Sequence, residues 1–150
     1  MKKNAIILAS ILVLAAAIFV VGCSPSDVVS YKVGDKIGDG FEVTFVDSAG
    51  GWTAQKMADD GTPAKEDGKN IMKVSGKFSD KDQTFDADSV WYLENLVFIG
   101  DDTTDGAITL TIEAGTLIKG ISSVTPGTLV ITRNSKIMAE GTAAKPIIMT

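Results

Sequence analysis

The sequence predicts an all-β chain whose second half is a solenoid of short strands, preceded by an acidic segment and an N-terminal export signal. Three observations carry this. Apolar and turn residues recur 19 positions apart from Trp91 onward. From Val90 charges thin out and aliphatic β-formers dominate, with no aromatic residue after Phe98. The first 22 residues have the composition of a targeting segment and stand outside the fold argument.

The N-terminus comes first. Lys2 and Lys3 form a short basic head, and Ala5 to Val21 follow without a charge. The run closes on "VVGC", and Cys23 is the only cysteine of the chain. This resembles a bacterial lipoprotein signal, with Val20 where leucine is usual. The resemblance implies cleavage before Cys23, diacylation of its thiol and acylation of the new amino terminus. Ser24 in place of aspartate implies, by analogy with Gram-negative lipoproteins, transport to the outer membrane. The competing reading is an uncleaved anchor, but 17 residues span only roughly 25 Å of a bilayer core about 30 Å thick. Both readings export the chain and tether it to a membrane. A lone cysteine allows no internal disulfide.

The remaining chain divides into a tether at 23–30, an acidic segment with short strands at 31–73, and coils at 74–150. Phe41, Val43 and Phe45 alternate with Glu42 and Thr44, the period of a half-buried strand. Residues 56–70 are charged and broken by glycine and proline, so they read as an exposed loop. "IMKVSGKF" reads as a strand and "SDKDQTFDADS" as a second acidic loop. In the coils, an offset of 19 aligns Trp91 with Leu110 and Leu129, Leu93 with Ile112 and Ile131, and Ile99 with Ile118 and Ile137. Gly115 aligns with Asn134, and asparagine is the residue that best replaces glycine in a left-handed bend. Two short strands about a sharp bend, repeated, bury their apolar residues only by stacking. An antiparallel sandwich with hairpins of equal length is the alternative arrangement.

The stretch "ITLTIEAGTLIKG…GTLVITRNSKIMAEGTAAKPIIMT" resembles the opening coils of right-handed parallel β-helix proteins of the pectate-lyase-like solenoid superfamily. Leu110, Thr111, Ile112, Gly115, Thr116, Ile118 and Gly120 match the first part of the pattern. Leu129, Ile131, Ile137, Ala139, Gly141 and Thr142 match the second, and Pro146, Ile147 and Thr150 the third. Ala114, Asn134 and Met149 depart from it. The resemblance covers residues 74–150 and implies a fold, not an activity. Such proteins continue for more coils, so these coils are expected to be incomplete. Their uncapped apolar edge is expected to invite edge-to-edge self-association.

Function is constrained mainly by exclusion. Without residues 1–22 the chain has 12 basic and 19 acidic side chains, a net of −7. Residues 23–106 carry −9 and residues 107–150 carry +2. An acidic exported chain argues against nucleic acid as a partner. The chain has no histidine, which removes the usual general base. "DDTTDG" resembles the first half of a calcium loop, which makes Asp101 and Asp105 weak metal candidates, with Asp86 near the same region. The loop pattern fails at Ile112, where a bidentate glutamate belongs. Glu113 and Glu140 lie 27 apart, not 19, and are expected not to share a face. Trp52, Trp91 and Tyr92 are the rings that could stack on sugars; Trp91 reads as core, and Trp52, beside Gly50 and Gly51, is the better candidate for exposure. No cofactor and no metal are expected. The expectation is a non-enzymatic, lipid-anchored scaffold or adhesin-like protein with a carbohydrate or surface-protein partner. The alternative is the N-terminal part of a β-helix enzyme acting on polysaccharide, its catalytic coils absent. A third reading is a small periplasmic lipoprotein with an unrelated β-fold.

Overall fold

In the computed structural model, residues 30–122 and 124–150 are described. The targeting segment, Cys23 and nearly all of the tether therefore lie outside the described residues. Twelve strands make up the described chain: β1 (Lys36–Ile37), β2 (Phe41–Val46), β3 (Trp52–Lys56), β4 (Lys65–Glu66), β5 (Lys69–Phe78), β6 (Gln83–Phe85), β7 (Ser89–Ile99), β8 (Thr109–Ile112), β9 (Leu117–Gly120), β10 (Thr128–Ile131), β11 (Lys136–Ala139) and β12 (Ile148–Met149). Among the described residues the one helical piece is a 3-10 turn at Gly38–Gly40, and no helix there is long and apolar enough to cross a membrane.

The strands form two sheets. The larger runs β1-β2-β3-β5-β7-β9-β12, with β4 on β5 and β10 on β7; the smaller runs β11-β8-β6. The larger sheet is mixed, not purely parallel. From β1 to β5 the neighbours are antiparallel, as is β4 on β5. From β5 onward, and throughout the smaller sheet, every pair is parallel. The turns from β1 to β2, β2 to β3 and β4 to β5 hold two to five residues, and β3 reaches β5 through residues 57–68, which contain β4; each parallel pair needs the chain to travel around and return.

Register corrects the predicted repeat. Strand β8 sits on β6, β9 on β7, and β11 on β8, each at an offset of 27. Strand β12 sits on β9 at 31, and β10 on the end of β7 at 32. The 19-residue offset is a stacking register only between the first halves of β5 and β7. Trp91 therefore lies beside Ile118, Leu110 beside Ile137, and Ile131 beside Ile99. The residues named from the 19-residue ladders lie in or against the core, toward other partners, except Ile137, which is exposed. The reason is local: alternation decides which face a side chain takes, while loop length decides what it stacks on. Asn134 and Gly115 both have a left-handed backbone, with φ of 68° and 91°. Asp102, in the corner that follows β7, has a left-handed backbone as well, with φ 70°.

Each rung has three faces. β8, β9 and β10 supply them in one rung; β6 and the two halves of β7 supply them in the rung before. Strand β7 turns its corner at Asn95, φ 58°, where the pairing with β5 also slips. The core between the faces holds Phe85, Trp91, Val97, Ile99, Leu110, Ile112 and Ile118, all nearly sealed from solvent. The rings of Phe85 and Trp91 stack at 4.4 Å. Sequence reading left Phe85 in an acidic loop; a three-residue strand flanked by charges is too short to show alternation. The loop expected at 56–70 likewise contains β4 and a bridge between Met57 and Pro63.

The acidic segment extends the larger sheet and closes one end of the core. Phe45 stacks on Phe78 at 6.2 Å, beneath the rungs. A second cluster of Phe41, Val43, Trp52 and Ala54 fills the ribbon itself. Buried Asp47 fastens the β2–β3 turn to the end of β5, accepting from the backbone N–H groups of Ala49, Ser79 and Asp80. Three donors compensate the burial of one carboxylate.

Ile112 and Ile118 test this arrangement, being 2% and 1% exposed. Ile112→Asp and Ile118→Asp should each cost at least roughly 4 kcal/mol, because each buries an unpaired carboxylate. Loss of the cooperative thermal transition is the expected result. A wild-type melting curve for either variant would refute the inward assignment.

Candidate functional site

Strand alternation puts Val74, Trp91 and Ile118 in the core, and so puts their neighbours Lys73, Tyr92 and Lys119 outside. Register then aligns these three across β5, β7 and β9: Lys73 opposes Tyr92, and Tyr92 opposes Lys119. The hairpin joining β4 to β5 turns through Asp67 and Gly68, both at positive φ. Its geometry delivers Glu66 onto this row. One oxygen of Glu66 accepts from Lys119 Nζ at 2.5 Å; the other accepts from the Tyr92 hydroxyl at 2.6 Å. On the same hairpin, Lys69 Nζ donates to the carbonyl of Gly115 at 2.8 Å. The hairpin thereby spans β7 and grips the next rung.

A groove of about 420 Å3 runs beside this clamp, between the antiparallel ribbon and the outer sheet face, lined by Phe41, Lys56, Ile71, Lys73 and Tyr92 among others. Lys73 Nζ sits 4.3 Å from the centre of the Phe41 ring, and Lys56 Nζ 5.8 Å. Lys73 also meets Glu94 at 3.5 Å. The groove therefore presents the Tyr92 ring, the Lys56 ammonium and the carboxylates of Asp39 and Glu66 over a floor that includes the buried Phe41 and Lys73.

The clamp shifts its own titrations. The hydrogen bond from Lys119, then that from Tyr92, holds the Glu66 carboxyl below its ordinary 4.5. Glu66 in turn raises Tyr92 above 10.0, with burial adding to it, and raises Lys119 above 10.5. The clamp's contribution to stability is thus present at neutral pH. It is lost on acidification as Glu66 protonates below 4.5, and on the alkaline side as Tyr92 and Lys119 deprotonate above 10.0 and 10.5.

The residues singled out in the sequence fall elsewhere. Asp101 is spent in its own turn: Oδ1 accepts from the amide of Thr103 at 2.9 Å and from its hydroxyl at 2.5 Å. These bonds, the hydroxyl foremost, hold its carboxyl below 3.8. The glycine that suggested a calcium loop, Gly106, has a different cause, since a Cβ there would lie 2.1 Å from Asp101 Oδ1. Asp105 is exposed on the same turn. Among the described residues no three acidic side chains converge on a point that could hold a metal ion. Trp52 is buried, not exposed, and packs edge-on against Tyr31 at 5.2 Å. Trp91 is core. Glu113 and Glu140 do share a corner, because 27 is the stacking offset of the strands that precede them, β8 and β11. Asp86 occupies the same position one rung earlier, after β6. Glu113 accepts from the Ala87 amide at 3.0 Å, and Glu113 and Glu140 border a shallow recess of about 240 Å3.

Sequence reasoning missed Glu66 and Lys119, and offered Tyr92 only as a ring that could stack on a sugar. Glu66 stood in a charged loop, and Tyr92 and Lys119 pair only at the 27-residue offset. An alignment of the chain on itself at 27 would have set Tyr92 over Lys119 and Asp86 over Glu113.

Spectroscopic titration of the two tyrosines, Tyr31 and Tyr92, reads the clamp directly. One phenolate step should lie above 10.0, disappear in Tyr92→Phe and move down in Glu66→Gln. An unchanged curve in Glu66→Gln would show that the Tyr92–Glu66 bond is not formed.

Comparisons with known proteins fit the pairing pattern. A family model described as a pectate-lyase-like β-helix domain matches residues 76–150. Comparison with curated proteins and with solved structures gives no match. The matched half of the chain contains every strand from β6 to β12, the whole of β7 included, and the chain belongs to the pectate-lyase-like β-helix domain family.

Proposed function

We propose that this protein is an exported, lipid-anchored β-helix scaffold that binds a partner in the groove under its N-terminal ribbon and performs no chemistry there. The carrying observation is the state of Glu66, which lines the groove together with Asp39. Glu66 is bound on both oxygens by Lys119 and Tyr92 and is held ionised. A general acid for glycoside cleavage needs the opposite, a carboxyl kept protonated near neutral pH. Glu94 faces Lys73. What remains for a ligand is the half-buried Tyr92 ring, the Lys56 ammonium and the exposed Asp39 carboxylate, over a floor that includes the buried Phe41 and Lys73. Such a set suits a surface saccharide, stacked on a ring and hydrogen-bonded at its hydroxyls.

The parallel ladders support a right-handed β-helix for residues 74–150, since parallel crossovers take that hand almost without exception. Cys23 is the lipid attachment point, and the outer membrane or cell surface is the destination. The second reading, a polysaccharide-active enzyme whose catalytic coils lie outside this chain, draws support from the family and from the corner shared by Asp86, Glu113 and Glu140.

Binding and turnover separate the two. Glycan-array binding by the wild-type chain should fall at least about tenfold in Lys56→Ala and Tyr92→Ala, a loss of about 1.4 kcal/mol. The same glycans should come back uncleaved. Cleavage abolished by Glu113→Gln would replace the scaffold reading with the enzyme reading.

The anchor is tested apart from the groove. Cys23→Ser should leave an unprocessed precursor that takes up no labelled fatty acid. Normal labelling of that variant would overturn the lipid anchor.

A further inference from the structure

The charged side chains that line the groove beside the clamp are Asp39, Lys56, Glu66 and Lys73. Two of them already have partners. Glu66 is held on both oxygens by Lys119 and Tyr92. Buried Lys73 meets Glu94 at 3.5 Å and lies over the Phe41 ring. Asp39 and Lys56 differ. Asp39 is an exposed residue of the 3-10 turn, with a left-handed φ of 63°, set between Gly38 and Gly40. Glycine takes that backbone without steric cost, so the turn geometry alone does not call for a carboxylate. Lys56 is the half-buried last residue of β3, its ammonium 5.8 Å from the centre of the Phe41 ring. Phe41 is its register partner and follows Asp39 closely in the chain, and the amide of Met57 donates to the Gly40 carbonyl at 2.9 Å. The turn and the end of β3 are thus fixed to each other. Among the described residues the ion pairs are Lys73–Glu94, Lys119–Glu66 and Arg133–Asp102. None joins Asp39 to Lys56, and neither side chain hydrogen-bonds another described residue.

We infer that the groove selects a dipolar saccharide, one that carries a free amino group for Asp39 and an acid group for Lys56 on neighbouring sugars. This rests on the saccharide-binding reading of the groove and adds the charge class of the ligand. Two unlike charges held apart by the backbone do not neutralise each other, so both are open to a ligand. A neutral sugar offers each of them only hydroxyls, whereas hydrogen bonds between ionised partners are roughly twice as strong. An acidic sugar satisfies Lys56 but brings like charge against Asp39 and Glu66. A basic sugar satisfies Asp39 but brings like charge against Lys56 and Lys73. A ligand with both signs gains at both positions and is repelled at neither, and repulsion is what excludes the wrong ligands. Half-buried Tyr92 supplies the ring on which a sugar face stacks in every case.

Four oligosaccharides of equal length separate these cases: an N-acetylglucosamine oligomer is neutral, its de-N-acetylated form basic, a hyaluronan oligomer acidic, and de-N-acetylated hyaluronan carries both charges. Calorimetric titration of the full chain at low salt should give the doubly charged oligomer a dissociation constant at least about tenfold below those of the other three. Asp39→Asn, which keeps a residue that tolerates the left-handed turn, should make the two hyaluronan forms bind alike. Lys56→Gln should make the two de-N-acetylated forms bind alike. Equal binding of all four by the wild type would overturn the inference and leave the saccharide groove standing. Tightest binding of a singly charged or neutral oligomer would also overturn it, as would a preference for the doubly charged one that survives in both variants. Binding of none of the four would overturn the saccharide groove as well.

Discussion

Strand β7 offers hydrogen-bonding groups on both edges over eleven residues, and three other strands of the larger sheet use them. Its first half pairs with β5 on one side and β9 on the other; its second half pairs with β5 and β10. The corner at Asn95 lets one continuous strand serve two faces of a rung. Val90, Trp91, Leu93, Val97 and Ile99 are buried along it, and Trp91 reaches across to Phe85 on the smaller sheet. Without β7 the antiparallel ribbon and the later rungs would share no backbone, and neither would have an interior.

The groove and the clamp follow from that placement. Inward residues of β7 fix the outward ones by alternation, so Tyr92 must project between Lys73 and Lys119. The hairpin of β4 and β5 then has one row of polar groups within reach, and Glu66 meets it. The clamp joins the ribbon to a rung 53 residues further along the chain. Local turn chemistry at Asp67 and Gly68 aims it, and long-range register supplies its target. Its ionised carboxylate is suited to holding a geometry and poorly suited to passing a proton. The structural role of these residues and the binding role proposed for the neighbouring recess thus rest on the same charges.

Rungs stacked in register also sort the chain's charge. The acidic residues concentrate in the ribbon and its loops, while the later rungs carry a small positive excess. Acids that do occur near the rungs sit at corners, where water reaches them: Asp86, Glu113 and Glu140 after successive strands of one face. A fold whose interior is a continuous aliphatic column leaves corners and outer faces as the places for polar specificity. The two ends are equally unlike, one plugged by Phe45 and the other ending in Ile137 and Met149.

Much of this was legible in the residues themselves. Alternation at Phe41, Val43 and Phe45 marks β2, and alternation at Leu110 and Ile112 marks β8, because side-chain direction in a strand depends on neighbours two positions away. Gly115 and Asn134 mark sharp bends because few residues tolerate a left-handed backbone. The aliphatic rungs and the break in texture at Val90 are compositional and need no partner to be seen. The stacking offset was not legible. Offsets of 27, 31 and 32 come from corner loops of unequal length, and no local energy term penalises a longer corner. Burial of Phe85 and Trp52, the shared corner of Glu113 and Glu140, and the union of Glu66 with Tyr92 and Lys119 all depend on that offset. The sequence by itself determined which residues turn inward and where the chain bends. Only the tertiary structure decided which of them meet, because pairing between rungs is settled by hydrogen bonds and packing across distances that no short window of sequence contains.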